Sequence, residues 1–488
     1  MPLTLTLAQV WRVVGTGPWP WAETLHPPLH DVVVDSRQAT AGSLFVALPG
    51  EHTDGHRFVG DAFQRGALAA LVQRRVEDGA ASIDLTQPLP ADAELRLPVC
   101  MVVQNTLTTL QALAAYWRAQ HPQCRVVGIT GSIGKTTTKE LIATVLRQRF
   151  CTLSSPENHN NEIGLPLSVL RLGPGVEWLA QEMAMYDLGE IALLSRIARP
   201  EIGVVTNVGP THLERLGSIE RIAQAKAELV QALPASGLVL LNGDDPRVRA
   251  MATLTPARRV VFYGLEPHND LRADDVQTHG LDGLSLRLHW QGEVLPARLP
   301  VVGRHNVYGV LAAVGVGLHA GMAWDEAIAG LQDRSAQVRL LAVPGIRGTT
   351  ILDDTYNASP ASTTAALDLL AGLEGRKVAV LGGMLELGSF EEEGHRLVGR
   401  RAAETVSLLV TVGKLGQLIA AGALDHGLPE ANVRTVVDNE QAVQVLRDIL
   451  GKGDVVLVKG SRGIAMESIV AQLRRRLRRD SGRGGREE

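Results

Sequence analysis

Short apolar runs alternate with amphipathic stretches along most of the chain, and many of the runs are rich in β-branched residues. Apolar runs bounded by polar turns predict buried strands, and apolar residues three or four positions apart predict the helices between them. Because strand and helix alternate, the pattern predicts α/β domains with largely parallel sheets. The predicted strands span residues 32–34, 43–48, 126–129, 151–153, 178–183, 202–206, 238–241, 350–353, 378–381, 407–412, 433–437 and 455–458.

Interruptions of this pattern predict three domains. Residues 1–104 form a first α/β domain, and residues 105–336 form a central domain with a parallel sheet. Within the central domain, the polar, strand-like stretch at 270–300 predicts added antiparallel strands. Residues 337–488 form a third, Rossmann-like α/β domain that lacks a GxGxxG fingerprint, so no dinucleotide site is indicated. Its Arg- and Gly-rich tail from residue 474 onward is expected to be disordered.

A glycine loop follows the apolar strand at 126–129 and leads into an amphipathic helix. It reads Gly131-Ser132-Ile133-Gly134-Lys135-Thr136-Thr137. In such a loop, backbone N–H groups bind phosphate oxygens, the lysine neutralises the outer phosphates and the threonine hydroxyl ligates Mg²⁺. The spacing differs from the standard Walker pattern, since Ile129 stands where the first glycine is expected. The pattern predicts a nucleotide site, with a simple tight turn as the alternative.

Polar residues follow three strands of the predicted central sheet, at 155–166, at 207–212 and at 242–246, and Glu182 lies at the end of a fourth. The carboxyl ends of parallel strands meet at one edge of a sheet, which is where such folds bind their ligands. Glu182 is a carboxylate suited to Mg²⁺, and His212 is a second candidate metal ligand. For His212 the alternative is a histidine that hydrogen-bonds backbone at a helix start.

Two residues of the central domain carry open alternatives. Lys226 falls on the apolar stripe of a predicted helix at 218–233, so it either extends its amine to the surface or is chemically altered. A carbamate formed with CO₂ would turn its ammonium into a carboxylate able to ligate Mg²⁺. Asn306 begins a predicted helix, where it is either an N-cap or a contact to a purine edge.

In the first domain, Ser36 and Arg37 come directly after the strand at 32–34. Their position at a strand end suits contacts to a phosphate or sugar, and an arginine binds such groups through a bidentate fork. A capped turn with a surface salt bridge is the alternative.

Composition narrows the class of protein without naming a reaction. Hydrophobic residues make up 45% of the 488 residues, enough for several cores, and the net charge of −4 suggests no nucleic-acid partner. The three cysteines lack the spacing of a metal site or a disulfide framework, which fits a reducing cytoplasm. No signal peptide and no apolar run near the roughly 20 residues of a membrane span is present. We expect a soluble, cytoplasmic monomer.

Taken together, these motifs resemble the Mur ligase family of peptidoglycan synthesis over essentially the whole chain. The glycine loop from Gly128 to Thr137 is similar to the ATP loop of that family, which accounts for its spacing. Segments 206–214 and 225–228 are similar to the metal and carbamoyl-lysine segments, and 303–306 to the adenine-side motif.

Within that family, three stretches resemble the ligase that adds D-alanyl-D-alanine, namely 158–166, 353–360 and 384–388. The resemblance implies a uridine-nucleotide-binding first domain, a P-loop-type ATPase central domain and a Rossmann-like third domain. It implies ATP-dependent joining of D-Ala-D-Ala to UDP-MurNAc-tripeptide through an acyl phosphate, with Mg²⁺. Nucleic acid and stable membrane insertion have no place in that activity.

The resemblance also implies roles for individual residues. The catalytic residues would be Lys135, His212 and Lys226, the last as a carbamate. Mg²⁺ would be held by Thr136, Glu182, His212 and Lys226. ATP would contact Gly131, Ser132, Ile133, Gly134, Lys135, Thr136, Thr137, Asn306, Arg339 and Asp354. The other substrates would contact Ser36, Arg37, Asn160, Asn161 and Asn357.

Two positions depart from the family pattern. Ala184 stands where glycine is usual, and Gly383 stands where aspartate is usual, which puts a carboxylate near the acceptor site in question. Two other functions remain as alternatives: another amide ligase of the superfamily, similar to folylpolyglutamate synthase, and a P-loop phosphotransferase that makes no amide.

Overall fold

The protein, represented by a computed structural model, contains three α/β units that follow one another along the chain. The structure describes residues 5–15, 19–21, 27–50, 53–76, 80–88, 94–156, 159–333 and 340–474. Asn158 and Arg339 therefore lie outside the described residues. The predicted tail lies outside them except for its first residue, Arg474.

The first domain has a five-stranded parallel sheet in the order β3-β4-β5-β7-β6, with a separate two-stranded ribbon, β1-β2. Its elements are β1 (Leu5–Thr6), α1 (Leu7–Val14), β2 (Pro28–Leu29), β3 (Asp31–Val33), β4 (Ser43–Val46), α2 (Val59–Gln64), β5 (Ala69–Val72), β6 (Ala81–Asp84), β7 (Val99–Val102) and α3 (Thr106–Ala119).

The central domain has a nine-stranded sheet in the order β16-β15-β14-β13-β12-β11-β8-β10-β9, parallel except at its β15 and β16 edge. Its elements are β8 (Arg125–Thr130), α4 (Lys135–Arg147), β9 (Thr152–Ser154), α5 (Gly164–Leu170), β10 (Trp178–Glu182), α6 (Glu190–Ala198), β11 (Ile202–Val205), α7 (Leu213–Leu216), α8 (Ile219–Gln231), β12 (Leu238–Asn242), α9 (Pro246–Ala250), β13 (Arg259–Gly264), β14 (Leu271–Thr278), β15 (Leu284–Trp290), β16 (Glu293–Leu299), α10 (Val307–His319) and α11 (Trp324–Leu331).

The third domain has a six-stranded sheet in the order β17-β18-β22-β19-β20-β21, with β17 antiparallel to β18. Its elements are β17 (Leu341–Pro344), β18 (Thr350–Asp354), α12 (Pro360–Ala371), β19 (Lys377–Gly382), α13 (Glu391–Thr405), β20 (Leu408–Val412), α14 (Gly413–Leu424), β21 (Val433–Val436), α15 (Asn439–Ile449), β22 (Val455–Lys459) and α16 (Glu467–Leu473).

Helices cover both faces of the central sheet, and the alternation along β8 shows why. Val126 belongs to the hydrophobic core on one face, while Val127 belongs to the core on the other. Successive side chains of a strand point to opposite faces, so an apolar run of this kind is buried on both sides. The middle of the central sheet thus becomes a rigid platform, and its loops are left at the strand ends.

Helix α3 fastens the first domain to the central one, because the Thr106 hydroxyl at its start donates to the carbonyl of Ala47 in the first domain at 2.9 Å. The indole N–H of Trp117 donates to the carbonyl of Leu172 at 2.9 Å, and Arg118 Nε donates to the carbonyl of Ala198 at 2.8 Å. Both side chains are buried, so neither bond competes with bulk water. These contacts make the first and central domains one connected frame.

Most predicted strands are present within one or two residues of their expected ends, but several elements were not predicted. Strands β5, β6, β7, β13 and β17 lie in stretches to which no strand was assigned. The polar stretch at 270–300 is confirmed as strand, although β14 pairs in parallel with β13 before turning antiparallel to β15. Asn306 takes the N-cap position of α10 as expected, but its side chain caps no backbone N–H, and Nδ2 instead donates to the Val302 carbonyl at 2.7 Å.

Over the described ranges, no helix combines the length and the apolar character that crossing a bilayer requires.

Candidate active site

The glycine loop lies between the end of β8 and the start of α4, as a phosphate-binding loop requires. Gly131 has φ +145° and Gly134 has φ +84°, conformations that side-chain-bearing residues rarely adopt. Asn207, at the end of β11, holds the loop from the neighbouring strand. Its Oδ1 accepts from Ile133 N at 3.0 Å and its Nδ2 donates to Ile133 O at 2.9 Å.

Gly128 has a different role from the loop glycines, which explains the unusual spacing. A Cβ atom at this position would lie 2.9 Å from Leu229 Cδ1 on α8. The missing side chain therefore allows α8 to pack closely on β8. Since α8 carries Lys226, this packing brings a lysine beneath the phosphate loop.

Lys135 closes over its own loop. Its Nζ donates to the carbonyls of Gly131 at 2.8 Å and Ser132 at 3.2 Å. An ammonium at this position, together with the N-terminal N–H groups of α4, makes the loop strongly attractive to an anion.

A hydroxyl and a carboxylate meet at the start of α4. Thr136 Oγ1 donates to Glu182 Oε2 at 2.8 Å, and Asn160 Nδ2 donates to Glu182 Oε1 at 3.0 Å. Both Thr136 and Glu182 are buried. The structure thus brings together two predicted metal ligands and one predicted substrate residue.

The donor set at this point fits Mg²⁺, which prefers hard oxygen ligands and retains positions for phosphate and water. In the part of the chain that the structure describes, no three His, Cys, Asp or Glu side chains converge as a protein-only cage. A site made of one hydroxyl, one carboxylate and nucleotide oxygens does not require such a cage.

Lys226 is only 2% exposed, so it does not extend along the surface as one alternative supposed. Burial lowers the pKa of its ammonium group well below the ordinary value, and the positive charge of Lys135 lowers it further. Burial therefore disfavours the charged form of this lysine relative to that of an exposed one.

His212 lies at the boundary with the third domain. It begins α7 with φ +58°, and its side chain makes no backbone cap there. Its Nδ1 atom is 2.6 Å from Oε2 of Glu386, on the loop after β19. The alternative of a histidine that caps its own helix is therefore wrong.

The third domain contributes a buried ion pair to the facing wall. Lys459 Nζ lies 2.6 Å from Asp354 Oδ2 and donates to the carbonyl of Asn357 at 2.9 Å. The exposed fractions of the two charged side chains are 2% and 11%. Asp354 is thus held in place by Lys459 where β18 and β22 end.

The remaining predicted substrate residues have local partners. Asn161 Oδ1 accepts from Gly164 N at 2.9 Å and orders the start of α5. Asn357 Oδ1 accepts from Ala358 N at 2.9 Å. In the first domain, the Arg37 side chain is 81% exposed and pairs with Asp35 at 2.6 Å, while Ser36 is buried. This turn has the capped, salt-bridged form of the alternative interpretation.

One cleft of about 860 Å³ collects most of these groups between the central and third domains. Ser36, Arg37, Gly131 and the buried Lys226 do not line it, and Arg339 lies outside the described residues. The predicted site residues that line it are Ser132, Ile133, Gly134, Lys135, Thr136, Thr137, Asn160, Asn161, Glu182, His212, Asn306, Asp354 and Asn357.

Four further residues of this region were not assigned roles from the sequence. Asn207 braces the loop, Lys459 fixes Asp354, Tyr186 packs its ring edge-on to His212 at 5.2 Å, and Glu386 faces His212. Asn207 and Glu386 belong to stretches that the motif comparison singled out. Their partners are distant in sequence, so spacing alone gave no signal for these contacts.

Three family profiles match consecutive parts of the chain. The profile described as "Mur ligase family, catalytic domain" matches residues 28–118, "Mur ligase middle domain" matches 129–317, and "Mur ligase, glutamate ligase domain" matches 338–462.

Curated relatives match over nearly their full length. The chain is 37% identical to a UDP-N-acetylmuramoyl-tripeptide–D-alanyl-D-alanine ligase of Bacillus subtilis, over 91% of this chain and 93% of the relative. It is 34% identical to the enzyme of the same name from Escherichia coli, over 91% and 94%.

Solved structures show the same architecture. MurF from Acinetobacter baumannii superposes with a TM-score of 0.82 at 28% identity, covering 97% of this chain and 99% of that one. MurF from Thermotoga maritima in complex with ADP gives 0.74 at 29% identity, covering 91% and 96%. The three-domain α/β fold predicted from the sequence is confirmed. On the geometry of the cleft and on these likenesses, the chain belongs to the Mur ligase family.

Proposed function

We propose that this protein uses ATP to join UDP-N-acetylmuramoyl-tripeptide to D-alanyl-D-alanine. The observation that carries the proposal is the single cleft in which Lys135, Thr136 and Glu182 face the Asp354 wall of the third domain. The names of the Bacillus subtilis and Escherichia coli relatives support the choice of substrates.

The chemistry proceeds in two balanced steps. An oxygen of the tripeptide carboxylate attacks the γ-phosphorus of ATP, which forms an acyl phosphate and releases ADP. The neutral amine of D-Ala-D-Ala then attacks the acyl carbon, and the resulting tetrahedral intermediate expels phosphate while the amine loses a proton. Phosphoryl transfer of this kind depends on positioning and charge neutralisation more than on covalent help from the protein.

The glycine loop is proposed to hold the triphosphate. The backbone of Gly131 to Gly134 and the start of α4 would bind its oxygens, with Thr137 close by, while Lys135 would neutralise the outer phosphates. The adenosine part would lie against Asn306 and Asp354, and Arg339 is proposed as a further ATP contact. The MurF structure from Thermotoga maritima with ADP supports a nucleotide site in this family.

Mg²⁺ is proposed as the cofactor, with Thr136, Glu182, His212 and Lys226 as the residues that hold it. When bound, it neutralises the negative charge that moves between the phosphate oxygens during phosphoryl transfer. Lys226 would act as a carbamate, and its lowered pKa supports this because a neutral amine is the form that reacts with CO₂. Thr136 and Glu182 are already oriented toward each other by their hydrogen bond.

The sugar nucleotide and the dipeptide are proposed to reach the cleft from different domains. Ser36 and Arg37 would contact the uridine nucleotide in the first domain, and Asn160, Asn161 and Asn357 would contact the peptide parts. The proposed boundaries are 1–104, 105–336 and 337–488. We propose a cytoplasmic monomer, in agreement with three cysteines that are all free thiols.

The test is phosphate release from ATP measured with each substrate alone and with both together. We expect release only when D-Ala-D-Ala and a UDP-linked tripeptide are both present, with a UDP-pentapeptide as the product by mass spectrometry. Parallel reactions with lysine- and diaminopimelate-containing tripeptides identify the preferred third residue. Phosphate release that needs neither peptide would indicate a phosphotransferase or ATPase, and release with a folate substrate would indicate the sister ligase.

A further inference from the structure

Two residues in the left-handed backbone conformation face each other where the central and third domains meet. His212 has φ +58° and Glu386 has φ +65°, and neither is glycine. Such conformations are costly for ordinary residues, and they persist where the surrounding structure fixes them, often at functional sites. A matched pair on two domains points to a contact that the fold maintains against strain.

The two side chains meet at an ion-pair distance. His212 Nδ1 lies 2.6 Å from Glu386 Oε2, although its direction departs from that of an ideal hydrogen bond. Because Nδ1 faces the carboxylate, the other ring nitrogen, Nε2, is not used by this contact.

The loop that carries Glu386 is fixed by its own domain. Met384 N donates to His395 Nε2 at 2.9 Å, and Leu385 N donates to Ser461 Oγ at 2.9 Å. Glu386 is therefore placed by a firmly held loop instead of swinging freely.

The same loop touches the central domain through Gly388. A Cβ atom on Gly388 would lie 2.8 Å from the backbone of Glu214, two residues after His212. Such a close approach leaves no room for a side chain, so the glycine lets the loop rest directly on α7. The backbone contact and the ion pair thus share one interface.

His212 is also packed on its remaining side. The ring of Tyr186 meets the imidazole edge-on, with centroids 5.2 Å apart, and the Arg215 guanidinium lies 5.0 Å from the Tyr186 ring centroid. Aromatic and cation contacts of this kind limit how the imidazole can turn. The orientation of His212 is therefore set jointly by the central domain and by Glu386.

We propose that Glu386 is a positioning residue that orients His212 as a metal ligand from the opposite domain. Histidines that bind metal usually donate their second ring N–H to a carboxylate or carbonyl, which fixes the tautomer and the ring direction. Here that carboxylate is supplied by the third domain, so the metal site is complete only when the two domains are docked. The inference rests on the proposed function in taking His212 as a ligand of Mg²⁺.

Docking and metal affinity are coupled as a result. If docking strengthens the metal site, then a bound metal must strengthen docking by the same factor. A divalent cation at His212 therefore favours the arrangement in which the third domain covers the cleft.

The first experiment titrates Mn²⁺, which is visible by electron paramagnetic resonance, into the full-length protein with ADP and no peptide substrate. Glu386→Gln should weaken Mn²⁺ binding by about 10- to 100-fold, the usual effect of losing such a supporting partner. Glu430→Gln, at an exposed carboxylate of the same domain, is the matched control and should bind as the parent protein does. Unchanged Mn²⁺ affinity in Glu386→Gln would overturn the proposal.

A double mutant separates orientation of His212 from a general electrostatic effect. In a His212→Asn background, Glu386→Gln should cause no further loss of Mn²⁺ affinity, because its effect acts through the imidazole. An equal loss in both backgrounds would show that Glu386 acts independently of His212 and would overturn the proposal.

Two further readouts exclude other roles for Glu386. Without metal or nucleotide, hydrogen exchange in Glu386→Gln should quicken both at 212–217 and at 384–390, whereas a local defect would quicken only the second segment and contradict the proposal. With saturating metal, kcat should return to near the parent value, whereas a lasting loss would indicate a direct catalytic contact instead. Failure of the parent protein to make the pentapeptide would reject the proposed function and leave the Mn²⁺ result intact.

Discussion

At the scale of single residues, the charged side chain of Lys139 has a structural role. Its side chain is fully buried, with Nζ 2.8 Å from Glu140 Oε1 and donating to the carbonyl of Ser155 at 2.5 Å. The Ser155 hydroxyl in turn accepts from the backbone N–H of Glu182 at 3.2 Å. Lys139 thereby connects α4 to the loop and the strand end that carry two of the proposed site residues.

Lys139→Met should lower the free energy of unfolding by roughly 1–3 kcal/mol, because it leaves a buried carbonyl and a partly buried carboxylate without their partner. Urea denaturation followed by circular dichroism measures the change. Lys414→Met, at an exposed position on α14, is the control and should stay within about 0.5 kcal/mol of the parent. Equal stability of the two variants would argue against a structural role for Lys139.

His395 gives a prediction about pH. Its Nε2 accepts from Met384 N and its Nδ1 lies 2.6 Å from the Glu391 carbonyl, contacts that suit a neutral ring protonated on Nδ1. Burial lowers the pKa of His395 below the ordinary value of 6.5. The unfolded chain therefore takes up this proton first as pH falls, so the stabilisation is full above 6.5 and is lost below it.

His395→Gln should remove part of that dependence, since glutamine does not titrate. The fall in unfolding free energy between about pH 7 and pH 5 should be smaller in the variant than in the parent protein. Chemical denaturation at several pH values measures both slopes. Identical slopes would show that His395 is not the group responsible.

At the scale of elements, the phosphate loop contains a natural comparison between two glycines. At Gly134 a Cβ atom would meet no neighbour within 4 Å, so substitution there imposes only backbone strain. At Gly131 a Cβ atom would lie 1.9 Å from Thr206 Oγ1, which donates to the Ile133 carbonyl. Substitution at Gly131 therefore adds a steric clash to the strain.

Gly134→Ala should destabilise the protein by about 1–2 kcal/mol, the cost of a left-handed conformation with a side chain. Gly131→Ala should cost more and should also weaken ADP binding more strongly, because the clash displaces the strand that braces the loop. Urea denaturation and calorimetric titration with ADP measure the two effects. Gly175→Ala, a positive-φ glycine with open space around it and outside the cleft, controls for strain alone.

The apolar pattern of the sequence predicted most of the long buried strands and missed several strands that are short or exposed. Strands such as β8 and β12 are buried along nearly their whole length, so an apolar run marked them. Strand β17 is mostly exposed at an antiparallel edge. Strands β5, β7 and β13 are apolar runs of only four to six residues, and runs this short cannot be told from buried helix segments by periodicity alone. Asn306 makes no side-chain cap because its backbone is already helical, with φ −78° and ψ −5°, whereas a capping residue is usually extended.

The candidate site likewise contains residues that the sequence pattern indicated and contacts that it did not indicate. Gly131 to Thr137 and Glu182 were predicted because the loop directly follows a recognisable strand and Glu182 ends another. The ion pairs between His212 and Glu386 and between Asp354 and Lys459 join segments that are far apart in the chain. Only the tertiary fold brings such partners together, and no local pattern encodes them. The departure at Gly383 has a steric correlate, since a Cβ atom there would lie 2.9 Å from Leu415 Cβ.

At the scale of the whole molecule, the cleft lies between one fixed wall and one wall on a separate domain. An ATP analogue together with UDP-tripeptide should make the protein more compact, because the ligands bridge the loop at 131–137 and the third domain. Small-angle X-ray scattering should show a smaller radius of gyration with both ligands than with either alone. No compaction under saturating ligands would contradict closure by the third domain.

Helix α3 has a consequence for the fate of the activated intermediate. Because α3 bonds to the first domain through Thr106 and to the central domain through Trp117 and Arg118, the proposed sugar-nucleotide side and the proposed ATP side share one frame. An acyl phosphate formed in the cleft would be covered on one side by this frame. Its protection from hydrolysis would then depend on when the third domain closes over the other side. If closure of the third domain were slowed, water would hydrolyse the acyl phosphate, and ATP would be consumed without formation of the amide bond.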